Sequence, residues 1–208
     1  MESAQDTEAR ILAAAHRVFV RHGTAKARTQ EIADEAGVNK ALLHYYFGSK
    51  EKLAEAVFLQ SARIIFPKLI QIMGSDMPLA GKVQAAVDFK FDVLEENPYL
   101  PGYLLSEFQL RQDSVRDLLS RSLPMDQLRD AVMNRLQSQL DAEADAGNIR
   151  RISAPELMLM LMSQIHFPFA AAPMLNIALG LTEDERAALM VRHRQTLAGS
   201  IMRSLATD

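Results

Sequence analysis

The sequence predicts an all-α protein of about nine helices. Apolar residues recur at helical spacing, alternating β-branched runs bounded by hairpin dipeptides are nearly absent, and only nine glycines punctuate 208 residues. Ile11, Ala14, Ala15, Val18 and Phe19 follow the i, i+3, i+4, i+7, i+8 rule and predict a first helix that stops near Gly23. A short helix follows from about Gln30 to Ala36, with Thr29 as its N-cap. Gly37 and Val38 break it. Asn39 caps a second short helix running to Tyr46, and Ser49 caps a long fourth helix reaching about Met73.

Gly74 to Pro78 punctuates the chain before a helix from Pro78 to Glu96. Asn97, Pro98 and Pro101 form the next break, ahead of a helix around Gly102 to Leu110. A long polar-faced helix is expected over roughly Pro124 to Ala146, ending at Gly147. Two capping boxes then stand out: Ser153 with Glu156 and Thr182 with Glu185. They start a helix near Ala154 and a last one near Glu183 running to Leu205. No internal repeat or low-complexity tract interrupts this pattern.

Composition narrows the function classes. Hydrophobic residues at 49% and charged residues at 24% are those of a folded globular protein. Without cysteine there is no disulfide, thiol catalysis, iron–sulfur cluster or cysteine zinc site. The longest apolar candidate for a membrane span, Leu157 to Leu175, is broken by Gln164, His166, Pro168 and Pro173. The polar, acidic start is unlike a secretory signal. These features predict a soluble cytoplasmic protein. Net charge is −3, but Arg17 to Lys52 carries seven bases against four acids, a local +3 that leaves −6 elsewhere. A basic footprint on an acidic body suits a small DNA-contacting module.

The informative stretch is Thr29 to Phe47, TQEIADEAGVNKALLHYYF. Two short helices meet at a turn containing Gly37, and Ala33, four positions earlier, is small enough to let their backbones approach. Ile32, Ala36, Val38 and Leu43 supply the inward face. This is the pattern of a helix-turn-helix, whose second helix enters the major groove.

At this point the sequence resembles the tetracycline-repressor (TetR) family of bacterial transcription regulators. The resemblance runs from Arg10-Ile11-Leu12 and Ala14-Ala15 through Phe19, Gly23 and Thr29-x-x-Ile32-Ala33. It continues over Ala36-Gly37-Val38-Asn39 to Tyr45-Tyr46-Phe47 and Ser49-Lys50-Glu51-x-Leu53. It implies a DNA-binding head over residues 1–53, and a ligand-binding and dimerisation domain over 54–208. By this resemblance Thr29 caps the motif and touches a phosphate, and Lys50 pairs with another. Asn39, Lys40, Ala41, His44 and Tyr45 fall on the DNA-facing surface, while Tyr46 and Phe47 lock the helix in place. His44 stands where the family commonly has tyrosine, and Leu42 where a small or hydroxylated residue is frequent. With Ala41 and Leu42 apolar, thymine-methyl contact or shape readout is expected for part of the recognition. Arg17, Arg21 and Lys26 read as solvated charges near the DNA backbone.

The C-terminal body holds no Walker-type glycine loop, no Gly-x-Ser-x-Gly and no His-Glu-x-x-His. The five histidines are scattered. No catalytic residue, metal site or cofactor is expected, and the chain does not read as an enzyme. Glu156 to Leu175 is rich in methionine and aromatics, flexible and polarisable groups that re-pack around apolar ligands. Met158, Met162 and Phe169 therefore read as pocket wall, with Phe91, Tyr103, Leu104 and Phe108 as additions. Glu107, Gln164 and His166 read as its polar anchors. On the last helix Met190, Leu197, Ile201 and Leu205 form an apolar stripe. In the family the last two helices build a dimer interface; the alternative is packing on the protomer's own core.

The expected function is a ligand-responsive regulator, reading as a repressor. A homodimer would bind a near-palindromic operator in double-stranded DNA and be released by an apolar small molecule, with no membrane partner. Two rivals belong to other classes: an all-α enzyme with a cofactor in the methionine-rich cavity, and a helical protein-interaction module.

Overall fold

The computed structural model describes residues 4–122 and 125–207, and their side chains apart from 122 and 125–128. The described residues contain no strand and form eleven helices, two more than the periodicity predicts. They are α1 (Ala4–Lys26), α2 (Thr29–Ala36), α3 (Lys40–Phe47), α4 (Lys50–Met73), α5 (Leu79–Glu96) and α6 (Leu100–Leu110). Then come α7 (Gln112–Ser122), α8 (Met125–Asp145), α9 (Ala154–Ala170), α10 (Ala172–Leu179) and α11 (Glu183–Leu205). The additions are α7 and α10. Pro124, the expected start of the long polar helix, lies outside the described residues.

The chain forms two compact units. The first comprises residues 1–65 and 102–123, and the second residues 66–101 and 124–208.

In the first unit α1 packs on α2, and α2 on α3. Ile11, Ala14, Ala15, Val18 and Phe19 are all fully buried, as are Ile32, Ala33 and Leu43. Gly23 adopts φ 73, ψ 153 and breaks the regular conformation of α1, after which one more turn runs to Lys26. Only glycine enters that region cheaply, so the bend is written into the sequence. The α2 start differs from expectation. Arg28 (φ −106, ψ 136) holds the N-cap position without a side-chain cap, and Thr29 is the first helical residue. The buried Ala27 draws the chain through an extended Arg28, whose carbonyl receives the Ile32 N–H at 3.2 Å.

By length and composition alone, α4 suffices to cross a membrane, although no long unbroken apolar run marks it in the sequence. Its burial gives those apolar residues another use, since Leu53, Ala54, Val57, Phe58 and Ala62 are core residues of the first unit.

In the second unit α5 packs against α9 and α11, and α9 against α8, α10 and α11. Both capping boxes form, with Glu156 N–H on Ser153 Oγ and Glu185 N–H on Thr182 Oγ1, each at 3.3 Å. Inside α9 sits Pro168, which has no N–H to give to the Gln164 carbonyl. His193 of α11 supplies the missing donor: its Nε2–H reaches that carbonyl at 2.8 Å. Two residues later α9 ends at Ala170, with Ala171 as its C-cap, and α10 leaves at 73°.

Candidate nucleic-acid interface and effector region

The face of the first unit is built from α2 upward. Gly37 in the left-handed conformation (φ 64, ψ 35) closes α2, its N–H shared by the Ala33 and Asp34 carbonyls. Asn39 starts α3, its Oδ1 accepting the Leu42 N–H at 2.8 Å. Leu43 then anchors α3 as its fully buried residue. With that one side pinned, Lys40, Ala41, Leu42, His44 and Tyr45 all face solvent. Tyr45 is 81% exposed and leans its ring edge on Tyr46 at 5.3 Å. An 81%-exposed tyrosine on a helix of eight residues has no folding role large enough to explain it. Tyr46 and Phe47 are half-buried, and Thr29 likewise.

His44 is oriented by the backbone. Gly48 N–H donates to the His44 carbonyl at 2.9 Å, and His44 Nδ1–H donates to the Gly48 carbonyl at 2.9 Å. The carbonyl can only accept, so the proton sits on Nδ1 and Nε2 is left for an incoming group. Lys50 has a second duty that the sequence did not disclose. Its ammonium donates to the carbonyls of Ala27 at 3.2 Å and Ala25 at 3.4 Å, where α1 gives way to α2.

The other charges of the head divide by partner. Arg17 pairs with Glu35 at 2.6 Å and Arg21 with the same carboxylate at 3.6 Å, so both bind α1 to α2 and are not merely solvated. His22 meets Glu31 at 3.0 Å. The two arginines neutralise an acid that would otherwise repel a phosphate backbone.

The expected pocket residues fall into both units. In the first, Tyr103 is buried, with its hydroxyl beside Thr24 Oγ1. Leu104 is half-buried, and Phe108 is 39% exposed with its ring edge 5.6 Å from Phe58. Glu107 is not a free anchor: Arg111 pairs with it at 3.2 Å and reaches Glu55 at 3.7 Å. The crevice beside this group holds about 10 Å³, room for a single water.

In the second unit Phe91 and Phe169 are buried and meet edge-to-face at 5.6 Å. Met158 is half-buried, whereas Met162 is 53% exposed and lies on the surface of α9. Gln164 contributes its backbone carbonyl, as described above. His166 is half-buried, its Nδ1–H donating to the Met162 carbonyl at 2.9 Å. Burial and the positive charge of Lys90 push its imidazole down to about 4. Lys90 was missed by the sequence reading, although it is almost wholly buried in α5. Among the described residues, no cluster of three histidines or carboxylates could hold a metal ion.

The apolar stripe of α11 is corrected. Leu197, Ile201 and Leu205 are at most 1% exposed within the protomer, packed where α11 meets α5 and α9, and Met190 is half-buried. Those three leucine and isoleucine side chains are spent on the protomer's own core. In the second unit α9 and α10 leave Leu159, Met162, Phe167, Met174, Ile177 and Leu179 more than half exposed, with Tyr99 and Val191 besides.

An all-helical chain whose short third helix is pinned by one leucine and otherwise stands clear has the geometry of a helix-turn-helix. Residues 11–57 match the model of bacterial regulatory proteins of the tetR family. The regulator TtgR of Pseudomonas putida is 38% identical over 56 residues, 27% of each chain, so that match spans about a quarter of the relative's length. The repressor Rv3405c of Mycobacterium tuberculosis is 29% identical over 179 residues, 86% of this chain and 80% of that one. The crystal structure of FadR from Bacillus subtilis, in complex with stearoyl-CoA, superposes with a TM-score of 0.59 at 18% identity, over 91% of this chain and 97% of that one. Residues 11–57 are thus similar to the DNA-binding head of tetR-family regulators, and the chain is similar over most of its length to a transcription repressor.

Proposed function

We propose that the protein is a repressor that acts as a homodimer on a near-palindromic operator and is released by a small molecule with an apolar body. The observation that carries this reading is the exposed row Lys40, Ala41, His44 and Tyr45 on a helix fixed by Leu43. Lys40 and Tyr45 suit phosphates or base edges, Ala41 and Leu42 suit thymine methyls, and His44 offers Nε2 to a base. Two copies of α3 must lie about 34–36 Å apart to enter successive major grooves, which calls for a two-fold dimer. The open apolar face of α9 and α10 is the surface we assign to that dimer, since a lone soluble chain rarely keeps so much exposed.

Effector binding belongs to residues 66–101 and 124–208, with Phe91, Met158, Phe169 and His166 in its wall. FadR, which shares the fold, is a regulator that carries an acyl ligand, and this supports ligand control here. The ligand must favour a conformation with the heads wrongly spaced, and by reciprocity the operator then weakens ligand binding. The resemblance assigns the linking role to α4. A regulator of this kind acts on chromosomal DNA in the cytoplasm and carries out no chemistry of its own.

The test is selection of bound fragments from a genomic library with the purified protein. The expected result is a shared inverted repeat whose affinity falls steeply with salt. Binding of unrelated fragments with equal affinity would overturn the reading.

A further inference from the structure

Helix α5 buries two lysines, and the fold treats them differently. Lys82 is 1% exposed, and its ammonium donates to the Met73 carbonyl at 2.9 Å, at the open end of α4. Lys90, two turns later, is 4% exposed and has no hydrogen-bond or ion-pair acceptor among the described residues. Three of the four carboxylates of the same helix, all but Glu96, are already taken. Arg194 of α11 holds Asp92 at 2.7 Å, Glu95 at 3.1 Å and Asp88 at 3.6 Å, with its guanidinium 5.9 Å from the Phe91 ring centre. The stem of Lys90 is buried while its unpaired ammonium keeps some contact with solvent, so an incoming acceptor can reach it.

The group within electrostatic reach of Lys90 is His166. Its Nδ1–H is committed to the Met162 carbonyl, and Nε2 has no partner among the described residues. Two neighbouring groups on α11 are already occupied: His193 by the Gln164 carbonyl, and Arg194 by its three carboxylates. Beside Lys90 in sequence lies Phe91, edge-on to Phe169.

We infer that the effector is an amphiphilic carboxylate, its head bound by Lys90 and His166 and its apolar body by the phenylalanine and methionine side chains of α5 and α9. This rests on the reading of the second unit as the effector domain and adds the charge of the ligand. The carboxylate supplies the acceptor that Lys90 lacks. Burial is the larger reason that His166 stays neutral, and the Lys90 charge the lesser; the carboxylate offsets the latter and favours a proton on Nε2, which then becomes a second donor. Binding is therefore coupled to proton uptake.

The experiment uses the full chain and two matched pairs of probes, decanoate with 1-decanol and 2-naphthoate with 2-naphthylmethanol, titrated calorimetrically at pH 7 in two buffers of different ionisation enthalpy. At least one acid is expected to bind tenfold or more tightly than its alcohol, with proton uptake. Lys90→Met is expected to fold and to lose that preference, and Lys90→Arg to retain part of it. Equal binding of acid and alcohol in both pairs, or an undiminished preference in Lys90→Met, would overturn the inference. If Lys90→Met does not fold, the wild-type pairs decide alone. Operator binding by the unliganded chain separates the two claims. DNA binding without an acid preference sinks only the ligand assignment, while an acid preference without DNA binding sinks only the regulator reading.

Discussion

The Lys50 ammonium closes the junction between α1 and α2, donating to Ala27 at 3.2 Å across 23 residues. One side chain thus sits at the start of α4 and holds the entry to the helix-turn-helix. Lys50→Met is expected to destabilise the head by about 1 kcal/mol, typical for a half-exposed hydrogen bond. It should also weaken every duplex alike, with the salt slope smaller by about one. Thermal denaturation and anisotropy on operator and scrambled DNA measure both. A loss confined to operator would contradict the assignment.

His44 and Lys40 should behave differently from Lys50. His44→Ala and Lys40→Ala are expected to change which bases are preferred as well as the affinity, by about 1–3 kcal/mol at the affected position. Competition between single-base operator variants reads this directly. An unchanged ranking of variants would remove both from base reading.

The bend at Gly23 sets the direction of the last turn of α1. Nothing lies near an added Cβ there, so Gly23→Ala would meet no clash, only backbone strain at φ 73. The expected cost is about 1–3 kcal/mol, seen as a lower melting temperature. A neutral substitution would mean that the bend relaxes freely.

Protomer core and dimer surface can be separated by two substitutions. Leu197→Ala empties a fully packed site and is expected to cost about 2–5 kcal/mol of folding stability. Ile177, 85% exposed on α10, contributes little to the protomer, so Ile177→Ser should leave folding intact and weaken self-association in sedimentation. A tight Ile177→Ser dimer would move the interface elsewhere.

Burial alone pushes the Lys90 ammonium down to about 8. Between pH 8 and the ordinary lysine range the unfolded chain binds the proton that the folded chain has lost, so stability rises with pH across that window. Below pH 8 the penalty is complete, on the order of 3 kcal/mol. Lys90→Met should therefore melt higher than wild type at pH 7, and the gap should close towards pH 10.5. His166 works on the acid side: the folded chain loses stability as pH falls from 6.5 to about 4, where its neutral imidazole must take a proton.

Much of this architecture was legible because local chemistry fixed it. Asn39, Ser153 and Thr182 announce helix starts through side-chain acceptors, and each cap is formed. The two extra helices were not legible for opposite reasons. Among the described side chains of Gln112–Ser122 only Val115 is buried, so little apolar pattern marks the helix. Around Ala171 the chain is apolar on every side, and periodicity cannot locate a 73° break within it. The stripe Leu197, Ile201, Leu205 correctly signalled a buried face but could not say which surface covers it. Lys90 looked like any solvated lysine, because only the packing of α9 and α11 on α5 removes it from water. For the DNA face, residue identities were readable, whereas the tethering of Lys50 and the tautomer of His44 depend on groups brought together by folding.

Pro168 leaves the interior of α9 one rung short, and His193 fills the gap from a different helix. A helix whose own ladder is completed by a neighbour cannot slide or rotate past it without exposing a bare carbonyl. The two segments are in effect riveted at Gln164. A molecule that wedges α9 aside must drag the C-terminal helix along, and a modest displacement at one end of the rivet becomes a movement of the whole pair.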